Sequence, residues 1–212
     1  MGPVGRERPK GLLVTCLCSA QRTKWGAGVG VYRQTVVDLD ATEEQAEEWG
    51  GRGWRWLLDE GFIRAEPWRG DVVHLGGPNW REAVDLAAWD WRARAEGFDP
   101  EPCGAVELIT GRTVFLAGPY DPPSAICPHC GNATADWPMA AVDAWHSTGA
   151  AAFSCRTCAR EVPLPDWTWT DDYFAFAHVG FQFEDWPRLS PAFTTAFAEA
   201  LGHRVRFLHG TW

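Results

Sequence analysis

The sequence predicts an α+β protein of mixed strands and helices, with a four-cysteine metal module inserted late in the chain. Three observations predict it. Of 212 residues, 46% are apolar and 22% charged, the balance of a chain that buries a core without needing disulfides. Segments with helix-start signals alternate with short β-rich runs. Four of the seven cysteines form two CxxC pairs, and the odd total fits poorly with a fully paired disulfide framework. No apolar run approaches the ~18 residues of a membrane-spanning helix.

In chain order, residues 1–10 read as a mobile N-terminus, polar and marked by Gly2, Pro3, Gly5 and Pro9. A region of α+β character follows over residues 11–120. Gly11 to Cys18 reads as a buried first strand, its apolar core too short for a signal peptide. Thr42 with Gln45 has capping-box form and starts a helix. Its apolar face is Ala46, Trp49, Trp54, Leu57 and Leu58. Gly50, Gly51 and Gly53 weaken that helix by up to ~1 kcal/mol each, and Gly61 stops it. Val72 to Leu75 is a strand and Gly76-Gly77-Pro78 a turn. Asn79 with Glu82 starts a second helix, running to about Glu96 with Val84, Ala87, Ala88, Trp91 and Ala95 inward. Val106 to Ile109 and Thr113 to Leu116 flank Thr110-Gly111-Arg112 as a β-hairpin. Gly118 to Pro123 is a stiff linker ahead of the metal module at 125–162. In residues 163–212, a strand-helix-strand segment expected to pack on the N-terminal region, Tyr173, Ala175, Ala177, Val179, Phe181 and Phe183 alternate on one strand face, with a bulge expected at Gly180. Ser190-Pro191 caps a helix that ends at Leu201-Gly202, and Val205 to Leu208 is the last strand.

The strongest chemical signal is Cys127-Pro128-His129-Cys130-Gly131 with Cys155-Arg156-Thr157-Cys158. Each CxxC turn aims two thiolates at one ion. Pro128 stiffens the first turn, and Gly131 permits the left-handed backbone just after it. Two such knuckles make a tetrahedral cage of four thiolates, the donor set of one structural Zn²⁺. Four cysteines close the shell and leave no open position for catalysis. The 24 residues between the knuckles accommodate a helical insert from Met139 to His146. Arg156 and Arg160 stand ready to offset the negative charge of the centre. This stretch, residues 125–162, resembles a zinc ribbon. The first knuckle matches the CPxCG form, and the second has Ala159 in place of the trailing glycine.

Composition also bounds function. The formal charge is −9. Residues 1–119 carry 14 basic and 18 acidic groups, and residues 120–212 carry five and ten. Neither half offers the basic footprint of a nucleic-acid binder. Fourteen tryptophans are more than one core readily hides, and tryptophan is favoured at binding hot spots. Trp167, Trp169, Asp171, Asp172 and Trp186 are therefore the predicted partner-binding surface, an acidic and aromatic face for a basic protein. Glu43, Glu44, Glu47 and Glu48 form a second acidic group.

No P-loop, HExxH, GxSxG or dinucleotide fingerprint is present. His178 with Asp171 and Glu184 is the one candidate acid/base cluster. Cys16, Cys18 and Cys103 are simplest as reduced thiols, which fits a cytoplasmic compartment. Usage rich in Arg, Ala and Trp, with two lysines among 19 basic residues, matches a high-GC bacterial genome. The segment from Phe181 through Trp186-Pro187 to Leu201-Gly202-His203-Arg204-Val205 is similar to the ends of uncharacterised bacterial proteins that also carry paired CxxC knuckles. That resemblance implies a shared fold and no function. The leading expectation is a non-enzymatic, cytoplasmic protein-binding factor with a structural zinc, of inhibitor, immunity or complex-subunit type. The alternatives are a zinc-ribbon protein associated with nucleic acid, suggested also by the helix-to-wing look of Leu57 to Ile63, and an enzyme with a site near His178.

Overall fold

A computed structural model describes residues 31–69, 73–87, 104–118 and 123–212. Among these residues are three α-helices and eleven strands in antiparallel sheets, an α+β fold. The predicted first strand at 11–18, the linker core at 119–122 and the second half of the predicted second helix, from residue 88, lie outside the described residues. No helix among the described residues is long and apolar enough to cross a membrane.

The frame is a six-stranded sheet built from β1 (Tyr32–Asp38), β2 (Ile63–Arg69), β3 (Val73–Gly76), β4 (Ala105–Leu116), β10 (Phe174–Glu184) and β11 (Val205–Thr211). Its order is β11-β1-β10-β4-β3-β2. Helices α1 (Ala46–Asp59) and α3 (Pro191–Leu201) cover one face. There Val36, Val106, Val179, Phe181 and Phe183 meet Leu57, Phe193, Phe197 and Leu201. A second cluster joins Val37, Phe115, Ala117, Ala175, Ala177 and Leu208.

Five elements differ from the sequence reading. The expected hairpin at 106–116 is one continuous 12-residue strand. Gly111 has φ +92, but this permits a β-bulge rather than a turn. Ala177 pairs with Thr113 and Val179 with Thr110, so Gly111 and Arg112 together oppose His178. That bulge also breaks the expected single face of β10. Val179, Phe181 and Phe183 face the helices, whereas Ala175 and Ala177 join the second cluster. Gly180 is not the bulge; its missing Cβ makes room for the Phe115 ring.

In α1 the innermost stripe is Ala46, Gly50, Gly53 and Leu57, flanked by Trp49, Trp54 and Trp56. The glycines are the contact surface: a Cβ on Gly53 would clash with the Phe181 ring and lie 3.1 Å from Leu201 Cδ2. The capping box forms by half. Gln45 Oε1 accepts the Thr42 N–H at 3.3 Å, but the Thr42 hydroxyl turns to Glu44, and regular helix begins only at Ala46. After Asn79 the chain makes a 3-10 turn at Trp80–Ala83 and Val84 bridges Leu189 in extended form, so helix begins only at Leu86, where the Asp85 carboxylate accepts the Ala87 N–H. The helix-to-wing step leads into β2 and β3, which form the edge of the six-stranded sheet. Pro67 in β2 blunts that edge.

Strand β1 was not evident in the sequence. Its Gln34 is fully buried, where an inward strand position normally carries an apolar side chain. It is satisfied there: its amide donates to the Trp186 and Pro187 carbonyls at 3.2 and 2.9 Å and accepts the Leu189 N–H at 2.7 Å. Asp38, also fully buried, accepts the Asp40 and Ala41 N–H groups and holds His203 Nδ1 at 2.9 Å. Removing either side chain would strand buried polar partners, at about 1–3 kcal/mol each.

Candidate metal centre

Two short β-hairpins carry the cysteines. Strands β5 (Ala125–Ile126) and β6 (Ala133–Thr134) flank the first knuckle; β7 (Ala152–Ser154) and β8 (Glu161–Pro163) flank the second. The hairpins repeat one pattern. Ile126 pairs with Ala133 and Ser154 with Glu161, so each first cysteine directly follows its strand. Cys127 N–H donates to Asn132 O and Cys155 N–H to Arg160 O. Gly131 N–H returns to Cys127 O, and Ala159 N–H to Cys155 O. Gly131 has φ +70, and Ala159 occupies the same left-handed position at φ +57. The missing glycine of the second knuckle is therefore replaced by a strained alanine in the same conformation.

The four Sγ atoms lie within 4.8 Å of one another. Cys127 is 3.8 Å from Cys158, and Cys130 is 3.7 Å from Cys155. Four sulfurs placed tetrahedrally at the usual ~2.3 Å metal–sulfur distance are ~3.8 Å apart. The cluster thus has the size and donor set for one metal ion. The thiols are tuned unequally. The Asn132 side chain and N–H lower Cys130. The Cys158 and Thr157 N–H groups bring Cys155 down to about 6 despite its burial. At Cys158 the Arg160 N–H favours the thiolate, but burial and the three neighbouring sulfurs prevail and push it up to about 11. The thiols therefore ionise unequally, Cys155 most readily and Cys158 least among those shifted.

The predicted counter-charges pair elsewhere. Arg156 meets Asp136 at 2.6 Å, with both side chains exposed. Arg160 Nη1 lies 3.2 Å from His129 Nδ1, linking the two knuckle tips.

Helix α2 (Met139–Thr148) connects the hairpins, and β9 (Thr168–Trp169) pairs with β5. Beneath the cysteines lies an aromatic cluster shared with the large sheet. Phe153 stacks on Trp167 at 4.1 Å, Trp169 meets Trp137 edge-on at 4.9 Å, and Trp145 meets Phe176 at 5.3 Å. Cys127 and Cys155 are part of this cluster.

That packing corrects the predicted partner surface. Trp167, Trp169 and Trp186 are 0%, 2% and 3% exposed, so they are core residues and present no contact face. Trp186 instead packs edge-on against Trp80 and Phe183. Of the five predicted residues, Asp171 and Asp172 are exposed. The large exposed aromatics among the described residues are Trp68 and Trp212.

The cluster proposed around His178 does not assemble as expected. Glu184 is held by Arg33 at 2.9 Å, and the charged groups acting on His178 are Glu43, Arg112 and Glu44. Burial lowers the His178 pKa. Arg112 bonds Glu43 at 2.5 Å and lies under Gly149, the C-cap of α2. It thereby ties the acidic start of α1 to the four-cysteine segment. The sequence showed each of these residues but not their meeting, because it depends on the bulge at Gly111. Comparison with family models, with curated proteins and with solved structures finds no match.

Proposed function

We propose that the protein is a non-enzymatic binding factor that carries one structural zinc and covers a basic protein partner, as an inhibitor, an immunity-type protein or a complex subunit does. Cys127, Cys130, Cys155 and Cys158 are its zinc ligands, in the manner of a zinc ribbon. Four thiolates in a tetrahedral set favour zinc over harder ions, and a closed shell suits a structural role. The observation that carries the binding reading is the charge. The chain has a net −9, and Glu43, Glu44, Glu47 and Glu48 are all exposed at the start of α1, with Asp171 and Asp172 exposed on the turn before β10. Such a surface speeds encounter with a basic partner and repels nucleic acid. A cytoplasmic site of action accords with free thiols.

The test is an affinity capture of tagged protein from its native cell at moderate salt, with protein and nucleic acid both quantified. A single stoichiometric basic partner, lost on Glu48→Lys, is the expected result. Nucleic acid that leaves as salt rises would overturn the reading in favour of nucleic-acid association.

A further inference from the structure

We propose that the four-cysteine centre is an oxidation site. In this proposal, which rests on the zinc reading above, two-electron oxidants of the peroxide class release the zinc by forming disulfides across the knuckles, Cys130 with Cys155 and Cys127 with Cys158.

Each knuckle has one buried and one accessible sulfur. Cys127 and Cys155 are 1% and 3% exposed, while Cys130 and Cys158 are only partly buried. The short cross-knuckle contacts, 3.8 and 3.7 Å, each join one accessible sulfur to one buried sulfur. The accessible sulfur is the point of attack and the buried one the resolving partner. Among the described residues nothing covers the tips: His129, Asn132, Arg156 and Arg160 beside the sulfurs are all exposed.

The chemistry balances within these groups and the oxidant. The Cys130 thiolate attacks one peroxide oxygen, breaks the O–O bond and becomes a sulfenic acid; the departing hydroxide takes a proton from solvent to give water. The Cys155 thiolate then attacks the sulfenic sulfur, forms the S–S bond and expels a second hydroxide, which is protonated likewise. Two thiolates supply two electrons, and one peroxide becomes two waters. The two remaining thiolates hold zinc weakly. A second turnover at Cys158 and Cys127 closes the other bridge. The large sheet persists, because its helix-side cluster contains none of these sulfurs.

The experiment treats the purified, zinc-loaded full chain with hydrogen peroxide. It follows released zinc with a chromogenic chelator and maps disulfides by mass spectrometry. Cleavage before aspartate and after arginine separates Cys127 and Cys130 from Cys155, and Cys155 from Cys158, through Asp136, Asp143 and Arg156. Met139, 51% exposed, is an internal clock for general oxidation. The expected result is zinc release at least ~10-fold faster than Met139 sulfoxide formation. The map should show cross-knuckle peptides, and thiol reductant plus zinc should restore the metal. Oxidised Met139 with zinc retained would overturn the oxidation proposal and leave the zinc site standing. Bridges within a knuckle, Cys127 with Cys130 or Cys155 with Cys158, would overturn the pairing. A chain purified with no stoichiometric zinc would overturn both this proposal and the zinc reading.

Discussion

Gly53→Ala is expected to destabilise the protein, although the same change in a solvent-facing helix stabilises by up to ~1 kcal/mol. The added methyl would clash with Phe181 Cζ and sit 2.9 Å from its Cε1 and 3.1 Å from Leu201 Cδ2. Neither side chain has room to yield. Both are fully buried, and Phe181 is wedged edge-on against Phe197 at 4.8 Å. Overpacking of this kind costs about 1–3 kcal/mol. Set against the helix gain, the net loss is about 1 kcal/mol. Gly51, two residues earlier, is the control. A Cβ there meets only the far end of Arg55 at 3.8 Å, so Gly51→Ala keeps the propensity gain. Urea unfolding followed by tryptophan fluorescence gives both midpoints, and the pair should differ by about 2 kcal/mol with opposite signs. Equal stabilisation by the two substitutions would mean that α1 does not lie on Phe181 as described.

Three further outcomes are expected. Cys127→Ser should lose the metal proposed here, zinc, and melt at least the two hairpins, since metal binding in such modules contributes folding energy of order 10 kcal/mol; metal analysis and a melting curve unchanged from the parent would remove the site assignment. Gly131→Ala should cost about 1 kcal/mol and Ala159→Gly should gain up to a similar amount, because both positions are left-handed and a Cβ at Gly131 touches nothing within 4 Å; thermal melts that show no difference in sign would refute the backbone argument. Glu107 is raised by burial and by Glu184, with Arg33 opposing. Its native form binds its proton more tightly than the unfolded chain does, so its contribution to stability is present below the ordinary carboxylate value and lost as pH rises through the raised one. Glu107→Gln should remove that loss, and stability curves of the two proteins that stay parallel across this range would contradict it.

The four-cysteine cluster was legible because CxxC spacing is a local signal: each pair of thiols is aimed by a four-residue turn. Helix α3 was legible for the same reason, its start fixed by Ser190 Oγ accepting the Phe193 N–H and its end by Gly202. What was not legible depends on distant partners. Thr110-Gly111-Arg112 has the residues of a hairpin turn, and a left-handed glycine serves a bulge equally well; pairing with β10, more than sixty residues later, decides between them. Strand β1 was hidden because Gln34 and Asp38 occupy inward positions that are tolerable only with Leu189 and His203 in place. The tryptophans misled through their number. Two separate aromatic clusters, one under the helices and one under the cysteines, absorb most of those described, and a sequence does not announce that a chain builds more than one core.

The strand order has a consequence for how the molecule is made. β1, the first described strand, lies between β10 and β11, the last two. Its pairing partners lie more than 140 residues downstream, so the sheet closes through the slowest class of contact. During synthesis Val36 and Val37 meet their β10 and β11 partners only after residues 174–211 have been made. The cysteine hairpins, whose contacts are local, are complete well before that moment. A nascent chain therefore passes through a stage with its four-cysteine hairpins assembled and its main sheet still open, and the aromatic cluster beneath them is a platform on which β10 can land.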